Sequence, residues 1–212
     1  MNKIISLLGM VFFSLSTYGA VVIDVQPLQL SSALGGQTGN VAIGETFVLP
    51  AGTTTLDSFK FYVQGQGGGD WLEFRLKIAA WDTASAKPTS LLYDGGYMHT
   101  DPAAVGPEAF QLNSMSVALT AVQKYIAYVD TTGYIATTKN QSNLSVNSTG
   151  SPTFGPYFDG SLMLADSNVS SRWGAYGVPS YDMAFTATFV PEPISLGLIS
   201  VAVIICLRRQ RV

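Results

Sequence analysis

Histidine is the first candidate for chemistry, and this sequence offers a single one. A Ser-His-Asp triad would have to use His99 together with a serine and either Asp94 or Asp101. The Gly-x-Ser-x-Gly segment that presents a nucleophilic serine in many hydrolases does not occur. The sequence therefore favours a histidine in a surface turn, and a hydrolase is kept only as an alternative. We predict that the chain is not an enzyme.

Acidic side chains offer two further chemistries. A two-carboxylate glycosidase needs paired acids across a cleft. Glu73, however, is predicted to lie on the same solvent-exposed strand face as Arg75 and Lys77, which indicates a row of solvated charges. Glu45 and Glu108 have no evident partner. A calcium ion could be held where oxygen ligands converge at strand ends, and the candidates are Asp57, Asp82, Asp130, Asp159, Asp166 and Asp182. No Asp-x-Asp-x-Asp-Gly loop occurs, so turn-forming aspartates are favoured and no cofactor is predicted.

Aromatic side chains near predicted turns indicate carbohydrate binding. A flat exposed ring beside Asp or Asn can stack on a sugar face and hydrogen-bond its hydroxyls. The rings in such places are Trp71, Trp81, Tyr93, Tyr97, Tyr157, Trp173, Tyr176 and Tyr181. We predict a ligand-binding patch at Trp173 and Tyr176, with Tyr181 as a further contact. The alternative is that these rings cap the hydrophobic core.

Charge and cysteine content exclude several classes of function. Residues 21–189 carry seven Lys or Arg against thirteen Asp or Glu, a net charge of −6, and they have no basic stripe. This argues against nucleic-acid binding. The only cysteine of the chain is Cys206. Residues 21–189 therefore have no disulfide, thiol nucleophile or cysteine-based metal site.

The sequence predicts that short β-strands position these side chains. Leu72, Phe74, Leu76, Ile78 and Ala80 alternate with polar or small residues, which places one apolar face in the core. Further strands are predicted at residues 21–25, 41–49, 56–63, 91–93, 110–119, 125–130, 162–164 and 183–189. Residues 26–40 and 98–108 are predicted to be irregular, and residues 137–151 a long polar loop, a partly disordered segment or a polar edge hairpin. This rhythm indicates an all-β domain, an antiparallel β-sandwich of jelly-roll type.

The N-terminal segment has the pattern of a secretory signal peptide. Lys3 supplies a minimal basic region, an apolar stretch follows from Ile4 to about Leu15, and small or polar residues lead to Ala20. An N-terminal membrane anchor is the less favoured alternative. We divide the chain into a signal peptide at residues 1–20, an ectodomain at 21–189 and a tail at 190–212.

The C-terminal tail combines three features in a fixed order. Pro191, Glu192 and Pro193 form a stiff polar entry, residues 194–207 are apolar, and a basic cluster of Arg208, Arg209 and Arg211 follows. As a helix the apolar run would span about 21 Å, which is short for a bilayer core of about 30 Å. The arginines predict a cytoplasmic end, so that everything before Pro191 lies outside.

This tail resembles the PEP-CTERM sorting signal of Gram-negative bacteria. The resemblance implies recognition and removal of the tail by exosortase, an integral-membrane transpeptidase-like enzyme. A plain tail anchor is an alternative, and so is a GPI signal, although such signals normally lack a terminal basic cluster.

The favoured hypothesis is an exported, non-enzymatic surface or extracellular-matrix protein with a β-sandwich interaction domain. It would be held in the inner membrane before processing and would then reach the cell surface or the extracellular space. Exosortase and extracellular polysaccharide are the predicted partners. A carbohydrate-binding module is the alternative.

Overall fold

The computed structural model describes residues 19–27, 30–35, 39–66, 71–134, 141–148, 157, 159–166, 169–171, 173–175 and 181–191. These residues form strands and no helix, and none of their segments is a helix long and apolar enough to cross a membrane. The strands are β1 (Val21–Val25), β2 (Leu30–Gly35), β3 (Ala42–Val48), β4 (Thr55–Gln66), β5 (Glu73–Asp82), β6 (Lys87–Asp94), β7 (Met98–His99), β8 (Val105–Leu112), β9 (Val117–Ala118), β10 (Lys124–Asp130), β11 (Gln141–Ser148), β12 (Ser161–Ala165), β13 (Gly174–Ala175), β14 (Tyr181–Met183) and β15 (Phe185–Val190). The prediction of an all-β domain is confirmed.

The first sheet has eight strands built around the long strand β4. β8 and β9 pair with one side of β4. On the other side of β4, β15 pairs with its first half and β11 with Val63 and Gln64. β1 covers the outer side of β15, and β2 and β14 pair with β11. All these pairs are antiparallel, as expected for strands joined by short turns.

The second sheet has seven strands in the order β13, β12, β3, β10, β5 and β6, with β7 paired to β5. β10 lies at its centre and pairs with β3 on one side and with β5 on the other. The two antiparallel sheets confirm the predicted sandwich arrangement.

The main core lies between the inward faces of the two sheets. On β5 the predicted alternation is confirmed, because Leu72, Phe74, Leu76 and Ile78 are all fully buried while the residues between them are half-exposed as far as Lys77. The first sheet contributes phenylalanines to the same core, and the rings of Phe59 and Phe185 stack at 5.4 Å. Each large apolar side chain buried in this way contributes about 1.5–3 kcal/mol.

A second, smaller core covers part of the outer face of the second sheet. Trp173 lies at its centre, with its ring edge-on to Tyr128 at 5.3 Å and to Trp81 at 6.1 Å. The indole nitrogen of Trp173 donates a hydrogen bond to the carbonyl of Val169 at 2.9 Å. The chain around Trp173 is therefore packed against the sheet and fills a second hydrophobic layer.

Both ends of the described chain meet at one end of the sandwich, which we call the terminal end. Val21 at the start of β1 pairs with Phe189, and Val190 at the end of β15 pairs with Thr55 at the start of β4. Residues 49–54 and 119–123 link the two sheets at this same end. Pro191 follows β15 directly, so the C-terminal tail leaves the domain from the terminal end.

The opposite end of the sandwich, which we call the distal end, is formed where β4 and β10 finish and β5 and β8 begin. Gln66 pairs there with Val105, and Glu73 pairs with His99 of β7. The 12 residues of β4 run from one end to the other, a length of about 36 Å at roughly 3.3 Å per residue.

Three predictions about irregular segments are wrong. Residues 26–40 contain β2, and residues 98–108 contain β7 and the start of β8. The polar tract at 137–151 contains β11, which pairs with β2, β4 and β14 and is therefore not an edge hairpin. Strand pairing with neighbours satisfies the backbone of these polar segments, and such tertiary contacts override local composition.

Two buried carboxyl groups connect the sheets. Glu45 lies on the same face of β3 as the core residue Phe47, and its Oε2 accepts a hydrogen bond from the backbone nitrogen of Met183 at 3.0 Å. Among the residues that the structure describes, its Oε1 has no hydrogen-bond partner. Asp182 accepts a hydrogen bond from the backbone nitrogen of Tyr157 at 2.5 Å. Burial raises the pKa of Asp182 to about 6. Burial and then the neighbouring charge of Asp182 raise the pKa of Glu45 well above its ordinary value.

These raised pKa values predict that the domain becomes less stable as the pH rises. The folded state keeps protons that the unfolded state releases near pH 4, so the free energy of unfolding falls as the pH rises from about 4 to about 6, where folded Asp182 also releases its proton. Glu45, whose pKa is raised as well, adds to this fall. Glutamine cannot ionise in either state, so Glu45→Gln removes the part of this loss that Glu45 causes, and we expect it to raise the free energy of unfolding by about 1–3 kcal/mol at roughly pH 8. Urea unfolding of the wild type and the variant at about pH 5 and about pH 8 measures this difference.

The exposed Asp159 provides the matched control, because Asp159→Asn removes a carboxylate from the neighbouring turn without touching the buried pair. Wild type and Glu45→Gln losing stability in parallel over this pH range would contradict the assignment.

Candidate functional site

An open aromatic depression lies at the distal end of the sandwich. Its lining residues are Trp71, Tyr97, His99 and Pro102, and its volume is about 300 Å³. Tyr97 is 53% exposed. The depression is therefore a surface that a ligand can reach without any rearrangement of the core.

The backbone around β5 and β7 sets the positions of these rings. β7 pairs with the start of β5, and Thr100 closes this pairing because its nitrogen donates to the carbonyl of Leu72 at 3.0 Å and its hydroxyl accepts from the nitrogen of Leu72 at 2.9 Å. Asp94 accepts a hydrogen bond from the nitrogen of Gly96 at 2.9 Å, and Gly96 has a φ of +78°, which glycine adopts at little cost. Tyr97 follows this turn directly, so the turn directs it outward.

Polar contacts hold the exposed Tyr97 ring in one orientation. Its hydroxyl donates a hydrogen bond to Oε1 of Glu73 at 2.8 Å, and this bond to a carboxylate raises the pKa of Tyr97. The ring of Tyr134 stands edge-on to Tyr97 at 5.8 Å, and its hydroxyl accepts a hydrogen bond from Nε of Arg75 at 3.2 Å. Arg75 in turn forms an ion pair with Asp94 at 3.1 Å. The depression thus has a fixed aromatic wall with charged groups beside it.

This arrangement suits stacking and hydrogen bonding more than it suits bond cleavage. Nδ1 of His99 lies 3.0 Å from the carbonyl of Thr100, and within the described residues neither a carboxylate nor a serine hydroxyl is hydrogen-bonded to the His99 ring. Glu73 is engaged by the tyrosine hydroxyl of Tyr97. The groups present can hold a ring-shaped polar ligand against an aromatic face.

The predicted ligand-binding residues are not brought together at this depression. Trp173 is 2% exposed and belongs to the second core, which corrects the prediction that it offers an accessible ring, because a sugar could reach it only if that core opened. Tyr181 in β14 is half-buried and packs against the main core. Tyr176 lies outside the described residues.

The predicted sorting residues are described only at their start. Pro191 follows the last strand, and the nitrogen of Thr54 donates to the carbonyl of Val190 at 3.0 Å immediately before it. Glu192, Pro193, Arg208, Arg209 and Arg211 lie outside the described residues, as do the apolar run at 194–207 and residues 1–18 of the predicted signal peptide.

Several aspartates considered for calcium have structural contacts. Asp82 accepts a hydrogen bond from the nitrogen of Ala84 at 2.9 Å, and Asp130 forms an ion pair with Lys77 at 2.7 Å. Over the ranges that the structure describes, no three His, Cys, Asp or Glu side chains are grouped so that they could hold a metal ion.

The sequence did contain a signal for the aromatic depression. Trp71 comes after Gly67, Gly68, Gly69 and Asp70, and Tyr97 follows the Asp94-Gly95-Gly96 turn. The nitrogen of Gly95 donates to the carbonyl of Leu76 at 2.8 Å, which folds this turn back onto β5 and brings the two aromatic residues to the same end. Two rings that each follow a glycine-rich stretch of sequence were therefore better candidates than Trp173.

Comparisons with known proteins give a likeness of fold alone. No family model matches the sequence, and no curated protein matches it. A clostridial cysteine protease, Cwp84 after propeptide cleavage, has a TM-score of 0.52 at 14% identity, covering 82% of this chain and 40% of that chain. A structure of the cysteine protease and lectin-like domains of Cwp84, a surface layer associated protein of Clostridium difficile, has a TM-score of 0.47 at 12% identity, covering 73% of this chain and 33% of that one. The chain spans less than half the length of these proteins.

Because Trp173 is buried and Tyr97 is exposed, replacing them by alanine should have very different effects on the free energy of unfolding. Trp173→Ala should lower the free energy of unfolding by about 3–5 kcal/mol, because it leaves a cavity in the second core. Tyr97→Ala removes an exposed ring and should change it by no more than about 0.5 kcal/mol. Urea unfolding of both variants and the wild type tests the assignment. Equal destabilisation by the two substitutions would show that Tyr97 is also a core residue.

Proposed function

We propose that the chain is an exported, non-enzymatic surface or extracellular-matrix protein whose β-sandwich binds carbohydrate through the aromatic depression. The observation that carries this proposal is the exposed ring of Tyr97, fixed by its hydrogen bond to Glu73 and flanked by Trp71 and His99. Sugars present an apolar face of C–H groups together with hydroxyls at the rim. A fixed aromatic wall beside carboxylate and guanidinium groups matches both parts.

The absence of catalytic activity is part of the proposal. The protein of similar fold is named a cysteine protease, whereas the single cysteine of this chain is Cys206, in the apolar run of the tail. His99 and Glu73 at the depression are engaged with Thr100 and Tyr97, respectively. A binding module needs no nucleophile, and nothing in the site requires one.

Export and sorting complete the proposal. The signal-peptide pattern at residues 1–20 directs the chain out of the cytoplasm, and the tail at 190–212 resembles a PEP-CTERM signal with one short transmembrane helix. An exosortase-type enzyme would remove the tail and release the domain from the inner membrane to the cell surface or extracellular matrix. A jelly-roll connection of the strands is the finer form of the sandwich that we propose for the ectodomain.

The position of the depression supports binding by an anchored protein. The tail leaves from the terminal end, whereas Tyr97 and His99 lie at the distal end, about 36 Å away along β4. A polysaccharide outside the membrane can therefore reach the site before or after the tail is removed.

Removing a ring from the depression should weaken carbohydrate binding. We expect Tyr97→Ala and Trp71→Ala to lower affinity about tenfold, or about 1.4 kcal/mol, on a glycan array and in titration with the best glycan. Tyr97→Phe keeps the ring but loses the bond to Glu73, so a smaller loss is expected. Leu91→Ala is the control, because Leu91 on β6 has the same exposed fraction of 53%. Absence of any glycan ligand, or binding unaffected by Tyr97→Ala, would overturn the binding function.

Replacing Pro191, Glu192 and Pro193 by alanines should leave the tail attached. The three residues form the motif that the processing enzyme is proposed to recognise, so the variant should accumulate in the inner membrane at its unprocessed mass. Intact mass and location are measured in hosts with and without exosortase. Alanines in place of Thr89, Ser90 and Leu91, three consecutive exposed residues of β6, provide a control for the number of substitutions. Processing that is the same in both hosts would contradict sorting through this motif.

A further inference from the structure

We propose that the terminal end of the sandwich rests against the surface of the lipid bilayer while the tail is inserted, with the loop at residues 120–123 as the point of contact. The inference rests on the proposed insertion of the tail and extends it to a surface of the folded domain. The occupant is the headgroup layer of a phospholipid bilayer.

The short distance between domain and tail is the first argument. Only Pro191, Glu192 and Pro193 separate the end of β15 from the apolar run that begins at Ile194. Three residues span at most about 10 Å when fully extended. β15 cannot lengthen this tether by fraying at low cost, since it pairs with both β1 and β4 and Phe189 is fully buried. An inserted tail therefore holds the terminal end close to the bilayer.

The conformation of Val122 is the second argument. Its side chain is fully exposed, at 107% of the reference area, and its φ is +65°. A β-branched residue rarely adopts this backbone conformation, and a valine in full contact with water gains nothing from burial in the fold. Backbone outliers of this kind cluster at sites with a function. Contact with a bilayer would remove the apolar side chain of Val122 from water.

The loop that carries Val122 lies beside the exit of the tail. Ala118 and Val190 both pair with Thr55, from opposite sides of β4, so they are about 10 Å apart. The nitrogen of Leu119 donates to the carbonyl of Thr54 at 2.8 Å, which fixes the base of the loop at this position. Val122 follows three residues after Leu119 and projects from the same end as Pro191.

The surrounding surface is compatible with headgroups. The neighbouring loop exposes Ala51 and Gly52, and Val22 of β1 is 56% exposed. Residues 120–123 and 49–54 contain no charged side chain, and Lys124 at the base of the loop can pair with an anionic headgroup. The distal end differs, because carboxylates lie beside its depression: Glu73 is hydrogen-bonded to Tyr97, and Glu108 is hydrogen-bonded to the nitrogen of Asp101. The terminal end is thus the one suited to a membrane surface.

Lipid-dependent quenching at single labelled positions tests the contact. The full chain carrying Cys206→Ser receives one cysteine, Val122→Cys, which is labelled with an environment-sensitive dye. It is reconstituted into vesicles of phosphatidylethanolamine and phosphatidylglycerol that contain headgroup spin-labelled lipid. Ala51→Cys reports independently on the neighbouring loop. Val105→Cys is the matched control, because Val105 is also a valine, 84% exposed, but lies at the distal end.

We expect several-fold stronger quenching at Val122 and Ala51 than at Val105, with a blue shift of emission at Val122. Equal quenching at the three positions, in a chain that floats with the vesicles, overturns the contact and leaves the anchoring function in place. A chain that does not float overturns both the contact and the proposed membrane insertion. The two failures are therefore distinguished by flotation.

Discussion

The insertion of β15 between β1 and β4 is the contact on which the rest of the structure depends. Phe185, Ala187 and Phe189 point from this strand into the main core and are at most 1% exposed. The last described strand is thus an interior strand, and the sheet is incomplete until residues 185–190 have been synthesised. Such pairing of distant segments closes long loops and folds slowly. It also fixes the exit of the tail, because a strand paired on both sides cannot pivot.

The sequence predicted those strands whose environment differs between their two faces. β5 lies between a core and solvent over much of its length, so its residues alternate and its position could be recognised from period alone. β2 and β11 were missed because their residues are mostly polar and small. They form strands because they pair with each other and because β11 also pairs with β4. Residues 110–119 were predicted to be one strand, whereas the structure divides them between the end of β8 and β9, with a break at which Ser114 and Ser116 have positive φ. Pairing partners distant in sequence leave no local periodic signal.

The sequence also identified aromatic residues near turns without showing which of them are exposed. Trp173 and Tyr97 both lie in irregular segments, yet Trp173 covers the outer face of the second sheet and Tyr97 projects from a glycine turn. The difference arises from a second hydrophobic layer on that sheet, to which Ile126 and Tyr128 contribute from β10. Side chains on both faces of β10 are buried. The sequence of β10 itself therefore indicated a strand that is covered on its two faces. Recognising that cover would have placed Trp173 in the core.

The separation between the two ends of the sandwich determines which site could serve an anchored protein. Under the proposed insertion, the tether of three residues leaves the terminal end almost no freedom, so a ligand site there would be closed by the bilayer until the tail was removed. A site at the distal end is open throughout, and the length of β4 sets its height at about 36 Å above the exit of the tail. The end of the sandwich at which a site lies thus determines whether the site is accessible while the tail is inserted. The aromatic depression is suited to binding during export as well as after release, whereas the loop of Val122 can act only while the tail remains.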